Sequence, residues 1–378
     1  MLEPRGNQDL VQIIGDASAK GAKLELQGGG TKAGFGAPRD CTVVSLGQIA
    51  GVVDYDPAEL VLTVKPGTLL ADIEAMVASE GQMLAFEPWG DEGATIGGIV
   101  AAGVAGSRRV TAGSARDHLL GFTAISGRGE KFVAGAKVVK NVTGYDLPKL
   151  MAGSWGRIGA MTELTLKVLP RPRQSVTMVT QGLTAQAAHA AMACALGSNA
   201  DVSAAACLKS GELLLRIAGF APSVAARCAG LPALMASHCP VEIMPEVETM
   251  PLWQRAMTGA GLNGAVRWDV HLPPRRAHEL VRALQPYGAD WAMDWGGGRV
   301  WVALDREDMI VREEAAKLGG EARLVTAPAE MRARVPAFQP RQRGVMALEQ
   351  RVRRAFDPAD VFATARFMED ADADQLSA

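Results

Sequence analysis

Glycine occurs in bursts along this chain, and the bursts limit what it can fold into. Many of its 42 glycines lie in the first 160 residues, where they gather into QGGGTKAGFG, GATIGGIVAAGVAG, KNVTGYD and GSWGRIG between apolar segments. Each cluster marks a place where backbone approaches something closely or adopts positive φ. The run 95–106 is almost wholly small or apolar. Three glycines within a helix would cost about 1 kcal/mol each relative to alanine, which argues against an ordinary core helix. Side chains this small leave room for a flat ligand. After Pro170-Arg171-Pro172 the chain changes to alanine-rich helical stretches alternating with β-like ones such as 212–217 and 299–304, so this step reads as a domain boundary. The last ten residues, EDADADQLSA, read as a frayed acidic tail.

Composition narrows the function. The length of 378 residues suits two domains, and 48% apolar with 21% charged residues is the balance of a globular protein. Basic residues number 39 and acidic 41, so no global field attracts phosphate backbones and nucleic acid is excluded as a partner. No stretch approaches the roughly 20 apolar residues that cross a bilayer, and MLEPRGNQDL lacks a signal pattern, so the chain reads as cytoplasmic. Five cysteines (Cys41, Cys194, Cys207, Cys228, Cys239) form no C-x-x-C, and five histidines (His118, His189, His238, His271, His278) form no H-x-x-x-H. A disulfide framework, a metal site and an iron–sulfur cluster held by this chain are thereby argued against.

The first glycine cluster follows the strand-like Leu24-Glu25-Leu26. Gly28-Gly29-Gly30-Thr31-Lys32-Ala33 satisfies G-x-G-x-x-A, but Gly34, Gly36 and Pro38 would break the helix that a Rossmann turn must open. Alanine after Lys32 also fails the Walker A pattern. What survives is a glycine nest whose successive N–H groups converge on an anion, with the Thr31 hydroxyl and Lys32 ammonium beside it. The alternative is a glycine hairpin turn without a ligand.

Further motifs follow in order: P-G-T at Pro66-Gly67-Thr68, T-I-G-G at 95–98, G-x-x-R-D-x-x-L-G at 113–121, K-N-x-x-G-Y-D-L at 140–147, and G-S-x-G-x-x-G-x-x-T-E at 153–163. This order, covering about residues 20 to 170, resembles the flavoproteins with a vanillyl-alcohol-oxidase or p-cresol-methylhydroxylase (PCMH) type FAD domain. The runs GATIGGIVAAGVAGSRRVTAGSARDHLLG and KVVKNVTGYDLPKLMAGSWGRIGAMTELTLKVLPRP, with WDVHLPP and DWGGGRVWVAL later, are most similar to the E-type FAD subunits of glycolate oxidases (glycolate dehydrogenases). The family's closing N-P-G-R is Ala363-Thr364-Ala365-Arg366 here.

The resemblance implies an α+β protein. A PCMH-type FAD domain of two α/β subdomains would span 1–172, a cap domain on an antiparallel sheet 173–345, and a C-terminal segment returning to the FAD domain 346–378. By position, Gly28, Gly29, Gly30, Thr31 and Lys32 would hold the FAD pyrophosphate, and Thr95, Ile96, Gly97, Gly98 and Gly103 would lie along the ribityl chain and flavin. Arg116 and Asp117 would brace the next loop. Lys140, Asn141, Gly144 and Tyr145 would approach the flavin or its phosphates, and Gly156, Gly159 and Thr162 the adenosine end. Arg116 and Asp117 also read as loop charges paired structurally, and Tyr145 as a core aromatic. The segment 27–36 contains no histidine or cysteine, and His118 is flanked by apolar residues as a buried imidazole would be. FAD is therefore expected to bind non-covalently.

Relatives that oxidise 2-hydroxy acids carry H-x-G-D-G-N-x-H and a Glu-His pair in the cap, and this chain has neither. His271 is the best remaining base and Arg299, with its planar fork, the best remaining carboxylate clamp. A lone histidine on a β-like segment is more often structural, so no catalytic residue is assigned. Two function classes stand side by side. One is a redox subunit taking part in oxidation of a small 2-hydroxy acid, glycolate to glyoxylate; the other is a scaffold with structural FAD. The resemblance implies a homologous FAD-containing D-type subunit and an iron–sulfur F-type subunit, with peripheral association at the inner face of the membrane through these partners. Arg332, Arg334, Arg341, Arg343, Arg351, Arg353 and Arg354 read either as a docking face for an acidic partner or anionic membrane, or as a solvated helix face.

Overall fold

The computed structural model describes residues 1–136, 145–234 and 240–368. Helix Asn7–Lys20 buries Leu10, Ile14 and Ala17 on one stripe and stops at Gly21, whose φ of 64° suits glycine. The stripe packs on the parallel pair Leu24–Gln27 and Thr42–Ser45. Val361 and Phe362 from the far end of the chain join this core, and the Leu24 N–H donates to Val361 O at 2.8 Å.

Beside it lies an antiparallel sheet of five strands, in spatial order Val52–Asp56, Val61–Val64, Ala160–Lys167, Leu119–Ile125 and Lys131–Gly135. Its core takes Leu62, Val64, Leu164 and Leu166 from the strands and Ile73 and Val77 from helix Leu70–Ser79.

The small-residue run departs from expectation: Ile96–Ala102 forms a helix. Only Gly97 and Gly98 lie within it, because Gly103 serves as its left-handed C-cap at φ 68°, where glycine is favoured. Ile96, Ile99 and Val100 bury one face, and the glycine and alanine face remains flat.

An eight-stranded antiparallel sheet runs in the spatial order Val241–Pro245, Gln174–Thr180, Leu213–Gly219, Val202–Leu208, Asp290–Asp294, Arg299–Leu304, Val266–His271 and Glu321–Thr326. Ala205, Cys207, Leu213 and Leu215 face helices Ala185–Leu196, Ala277–Leu284 and Ile310–Lys317, while Ala204, Ala206 and Leu214 face helix Glu246–Thr258 and Trp89. Burial on both faces explains why these strands read as nearly continuous apolar runs.

The two lobes meet along a hydrogen-bonded seam. The Trp295 indole N–H donates to Gly106 O at 2.9 Å and the Ser107 hydroxyl to Asp294 Oδ2 at 2.9 Å. Arg216 pairs with Glu87 across the same seam.

Candidate functional site

Strand Leu24–Gln27 runs out into a loop with no helix, as Gly34, Gly36 and Pro38 require. Among the described residues, no protein acceptor takes the N–H of Gly28, Gly29, Gly30, Thr31 or Lys32. These residues are half-buried and Gly29 is exposed, so their donors stay open to the cleft and to solvent, and successive unpaired N–H groups on glycine backbone offer a place for an anion. A Cβ on Gly28 would stand 2.1 Å from Thr95 Oγ1 and one on Gly29 only 1.7 Å from Gly93 O, so bare backbone lets the two loops touch.

The second wall is the start of helix Ile96–Ala102. Its first donors are already used: Ile96 N–H on Thr68 O at 3.0 Å, Gly97 N–H on Pro66 O at 2.9 Å, and Gly98 N–H on Thr95 Oγ1 at 3.4 Å. The P-G-T turn is thus a bracket that fixes this helix start. The third wall is Trp155, Gly156, Gly159 and Met161. Together they enclose a cleft of about 810 Å³, counting the part open to solvent, within the range of small-molecule sites. Lys32 lies in it with its ammonium 5.2 Å from the Trp89 ring. Burial lowers the Lys32 pKa, Asp91 opposing; a cation deprived of water gains by meeting an anion.

The cleft brings together Gly28, Gly29, Gly30, Thr31, Lys32, Thr95, Gly97, Gly98, Gly156 and Gly159. The structure places the remaining expected residues elsewhere. Ile96 is buried in the core, Gly103 caps its helix, and Thr162 is buried in a strand near Thr123 O at 3.5 Å. Arg116 is exposed, and Asp117 accepts from Ser114 N–H at 2.8 Å and Ser114 Oγ–H at 2.9 Å in a capping box, a local structural role. Tyr145 is 91% exposed, which overturns its reading as a core aromatic. Lys140, Asn141 and Gly144 lie outside the described residues. His118 is buried, with Nε2 2.8 Å from Ala112 O and Nδ1 3.3 Å from Lys167 O. Glu25, Leu46, Pro66, Ala94, Trp155 and Arg366 also line the cleft, unforeseen from sequence. The signal for Arg366 was its place at the end of Ala363-Thr364-Ala365-Arg366, where the family keeps a closing arginine.

His271 and Arg299 share one carboxylate. Arg299, only 4% exposed, spans Asp269 with Nε at 2.8 Å and Nη2 at 3.2 Å, and gives Nη1 to Met257 O at 3.0 Å. Its guanidinium carbon lies 4.9 Å and 4.3 Å from the Trp295 and Trp301 ring centres. His271 Nε2 stands 3.2 Å from Asp269 Oδ1, off the line of a good hydrogen bond. Burial alone would raise the Asp269 pKa, but Arg299 and then His271 overcome it and hold the carboxyl well below its usual range. This arrangement leaves Arg299 committed to the protein, which corrects its reading as an available carboxylate clamp. The arginine-rich end is corrected in part: Arg332 bonds Gly34 O and Gly36 O, Arg334 meets Glu307 at 3.6 Å, and Arg341 pairs with Glu321.

A family model of the FAD binding domain matches residues 1–135. Glycolate oxidase subunit GlcE of Escherichia coli (strain K12) is 33% identical over 368 residues, 95% of this chain and 97% of that one. Glycolate oxidase subunit GlcD of Bacillus subtilis (strain 168) is 29% identical over 181 residues, 47% of this chain and 38% of that one. Among solved structures, an alkyldihydroxyacetonephosphate synthase aligns with a TM-score of 0.65 at 14% identity, covering 95% of this chain and 75% of that chain, a likeness of fold. The chain belongs to the GlcE family of FAD-linked glycolate oxidase subunits.

Proposed function

We propose that this chain is the FAD-binding subunit of a glycolate-oxidising complex, taking part in oxidation of glycolate to glyoxylate with electrons passed to partner subunits. Residues 1–172 are read as the FAD domain, 173–345 as the cap and 346–378 as the returning segment. The observation that carries the reading is the row of open N–H groups at Gly28–Lys32 facing Thr95, Gly97 and Gly98 across one cleft.

When bound, FAD supplies a two-electron acceptor. The protein's part is to bind and orient it. The donors of Gly28–Lys32 and the Lys32 cation suit the pyrophosphate, and the flat face of Gly97, Gly98, Ala101 and Ala102 suits the extended chain and ring. No histidine or cysteine lines the cleft among the described residues, which supports non-covalent attachment. Because Asp269 and Met257 occupy every arm of Arg299, we assign the hydroxy acid's seat to a homologous D-type partner. The remaining partner is read as an iron–sulfur F-type subunit. No helix among the described residues is long and apolar enough to cross a membrane, so peripheral attachment would run through the partners.

An absorbance spectrum of the purified, FAD-reconstituted chain tests this. Flavin bands are expected, and heat denaturation should release all the flavin into the filtrate. With glycolate under anaerobic conditions the bands should persist, then bleach once the D-type subunit is added. A chain that takes up no FAD refutes the cofactor reading, and flavin that stays oxidised with the D-type subunit and glycolate present refutes the redox reading.

A further inference from the structure

The loop following the open N–H row shows a second pattern on its carbonyl side. Six consecutive carbonyl oxygens, from Lys32 to Ala37, accept from three arginine side chains. Arg366 takes Lys32 O, and Phe35 O at 2.9 Å. Arg332 takes Gly34 O at 2.9 Å and Gly36 O at 3.0 Å. Arg39 takes Ala33 O at 3.4 Å and Ala37 O at 3.1 Å. One of these arginines follows the loop directly, one follows the last strand of the eight-stranded sheet, and one lies near the end of the described chain.

Two further features belong to this arrangement. Glu25 is the carboxylate that pairs with both Arg39 and Arg366, and Arg332 carries no carboxylate among the described residues, its Nε going to Ala327 O at 3.1 Å. The loop is thus held by three guanidinium groups, of which Arg39 and Arg366 share Glu25 while Arg332 adds its charge without a carboxylate among the described residues. The backbone closes the same contact, with the Ala37 N–H donating to Arg366 O at 2.8 Å. A loop whose carbonyls are all held has little freedom to turn its peptides, and its N–H groups are then set before any ligand arrives.

We propose that Arg39, Arg332 and Arg366 are positioning residues for the dinucleotide pyrophosphate. They hold the Lys32–Ala37 loop so that the neighbouring N–H row is preorganised, and they supply the excess positive charge that the pyrophosphate neutralises. Cofactor affinity is in consequence tied to the seating of two distant segments, the one after Thr326 and the one ending at Arg366. This rests on the FAD reading of the cleft and adds to it the residues that shape the anion site.

The test compares full-length wild type with Arg332→Gln and Arg332→Lys, measuring the FAD dissociation constant at low and high salt and the thermal midpoint of the FAD-free chain. Arg332→Gln should bind FAD about tenfold more weakly, or worse, as expected for losing charge-assisted bonds. Its affinity should also fall less with added salt, because one screened attraction is gone. Arg332→Lys keeps the charge, so it should retain the wild-type salt dependence while recovering only part of the affinity. Equal dissociation constants in all three proteins overturn the proposal. So does an affinity loss matched by an equal drop in the FAD-free midpoint with unchanged salt dependence, which marks a purely structural arginine. If Arg332→Gln fails to fold, a wild-type affinity in Arg332→Lys overturns the need for a guanidinium that spans Ala327 O and the loop, and a weakened one supports it. A wild-type chain that binds no FAD would instead overturn the cofactor reading itself.

Discussion

Asp294 makes the seam between the lobes sensitive to pH. Its side chain is fully buried, with Oδ2 accepting from Ser107 and Oδ1 from the Trp295 N–H at 2.8 Å. Burial pushes its pKa from 3.8 up to about 7, against the opposing pull of Arg299 and of these two hydrogen bonds. An acid whose folded pKa is raised keeps its proton in the folded state while the unfolded chain has already lost it. Stability therefore falls as pH rises from about 4 to about 7 and is level above that. At about 1.4 kcal/mol per pH unit, an interval of about three units is worth roughly 4 kcal/mol. Asp294→Asn removes the titration and retains an acceptor for the Trp295 N–H. Chemical denaturation of both proteins between pH 4 and 8 should show the variant gaining on wild type by a few kcal/mol across this window, with the change centred between pH 4 and 7. Parallel pH profiles would refute the reasoning, because they would mean that the carboxylate is ionised in the folded seam at no cost.

Two adjacent glycines should behave differently. A Cβ on Gly97 would stand 2.6 Å from Pro66 Cβ and 2.9 Å from Pro66 O, whereas one on Gly98 meets only Thr95 Oγ1 at 3.4 Å. Gly97→Ala should lower the thermal midpoint of the FAD-free chain by the equivalent of about 1–3 kcal/mol, while Gly98→Ala should leave it unchanged or raised; equal midpoints would contradict this packing. For the buried ion pair, Arg299→Met removes the main partner of the Asp269 carboxylate, leaving His271 at 3.2 Å and Arg323 at 4.0 Å, and should cost about 3 kcal/mol in denaturation, much of it recovered by adding Asp269→Asn. A double variant no more stable than Arg299→Met would show that the cost was lost packing rather than an unpaired charge.

The cofactor side of the cleft was legible because glycine reports local geometry. Gly29 must be bare to let Gly93 O approach, and Gly103 must turn left-handed to end its helix, so each leaves a mark at its own position. The same local reasoning failed on 95–106, where it counted a capping glycine as an interior one. The β-like stretch 299–304 likewise proved to be the strand Arg299–Leu304, whereas the burial of its sheet on both faces depends on helices packed from either side and left no mark that was read. The Asp269 cluster was not legible, since His271 and Arg299 each show a plausible catalytic side chain and neither shows its partner. Their pairing follows from the antiparallel register that sets His271 opposite Arg299 on neighbouring strands.

A glycine-rich loop with no regular structure offers few partners to its own carbonyls, and where it is buried, at 35–37, something else must answer them. The sequence of the loop thus announces a need for donors, but the donors are single residues 296 to 334 positions away for Arg332 and Arg366. Arginine suits the task because one planar fork can reach two carbonyls while its charge stays available to an anion nearby. In a run of arginines from 332 to 354, nothing local separates the one that braces the loop from those that face solvent. Only the closed fold makes that distinction, and it makes it by bringing residue 332 against Gly34 and Gly36.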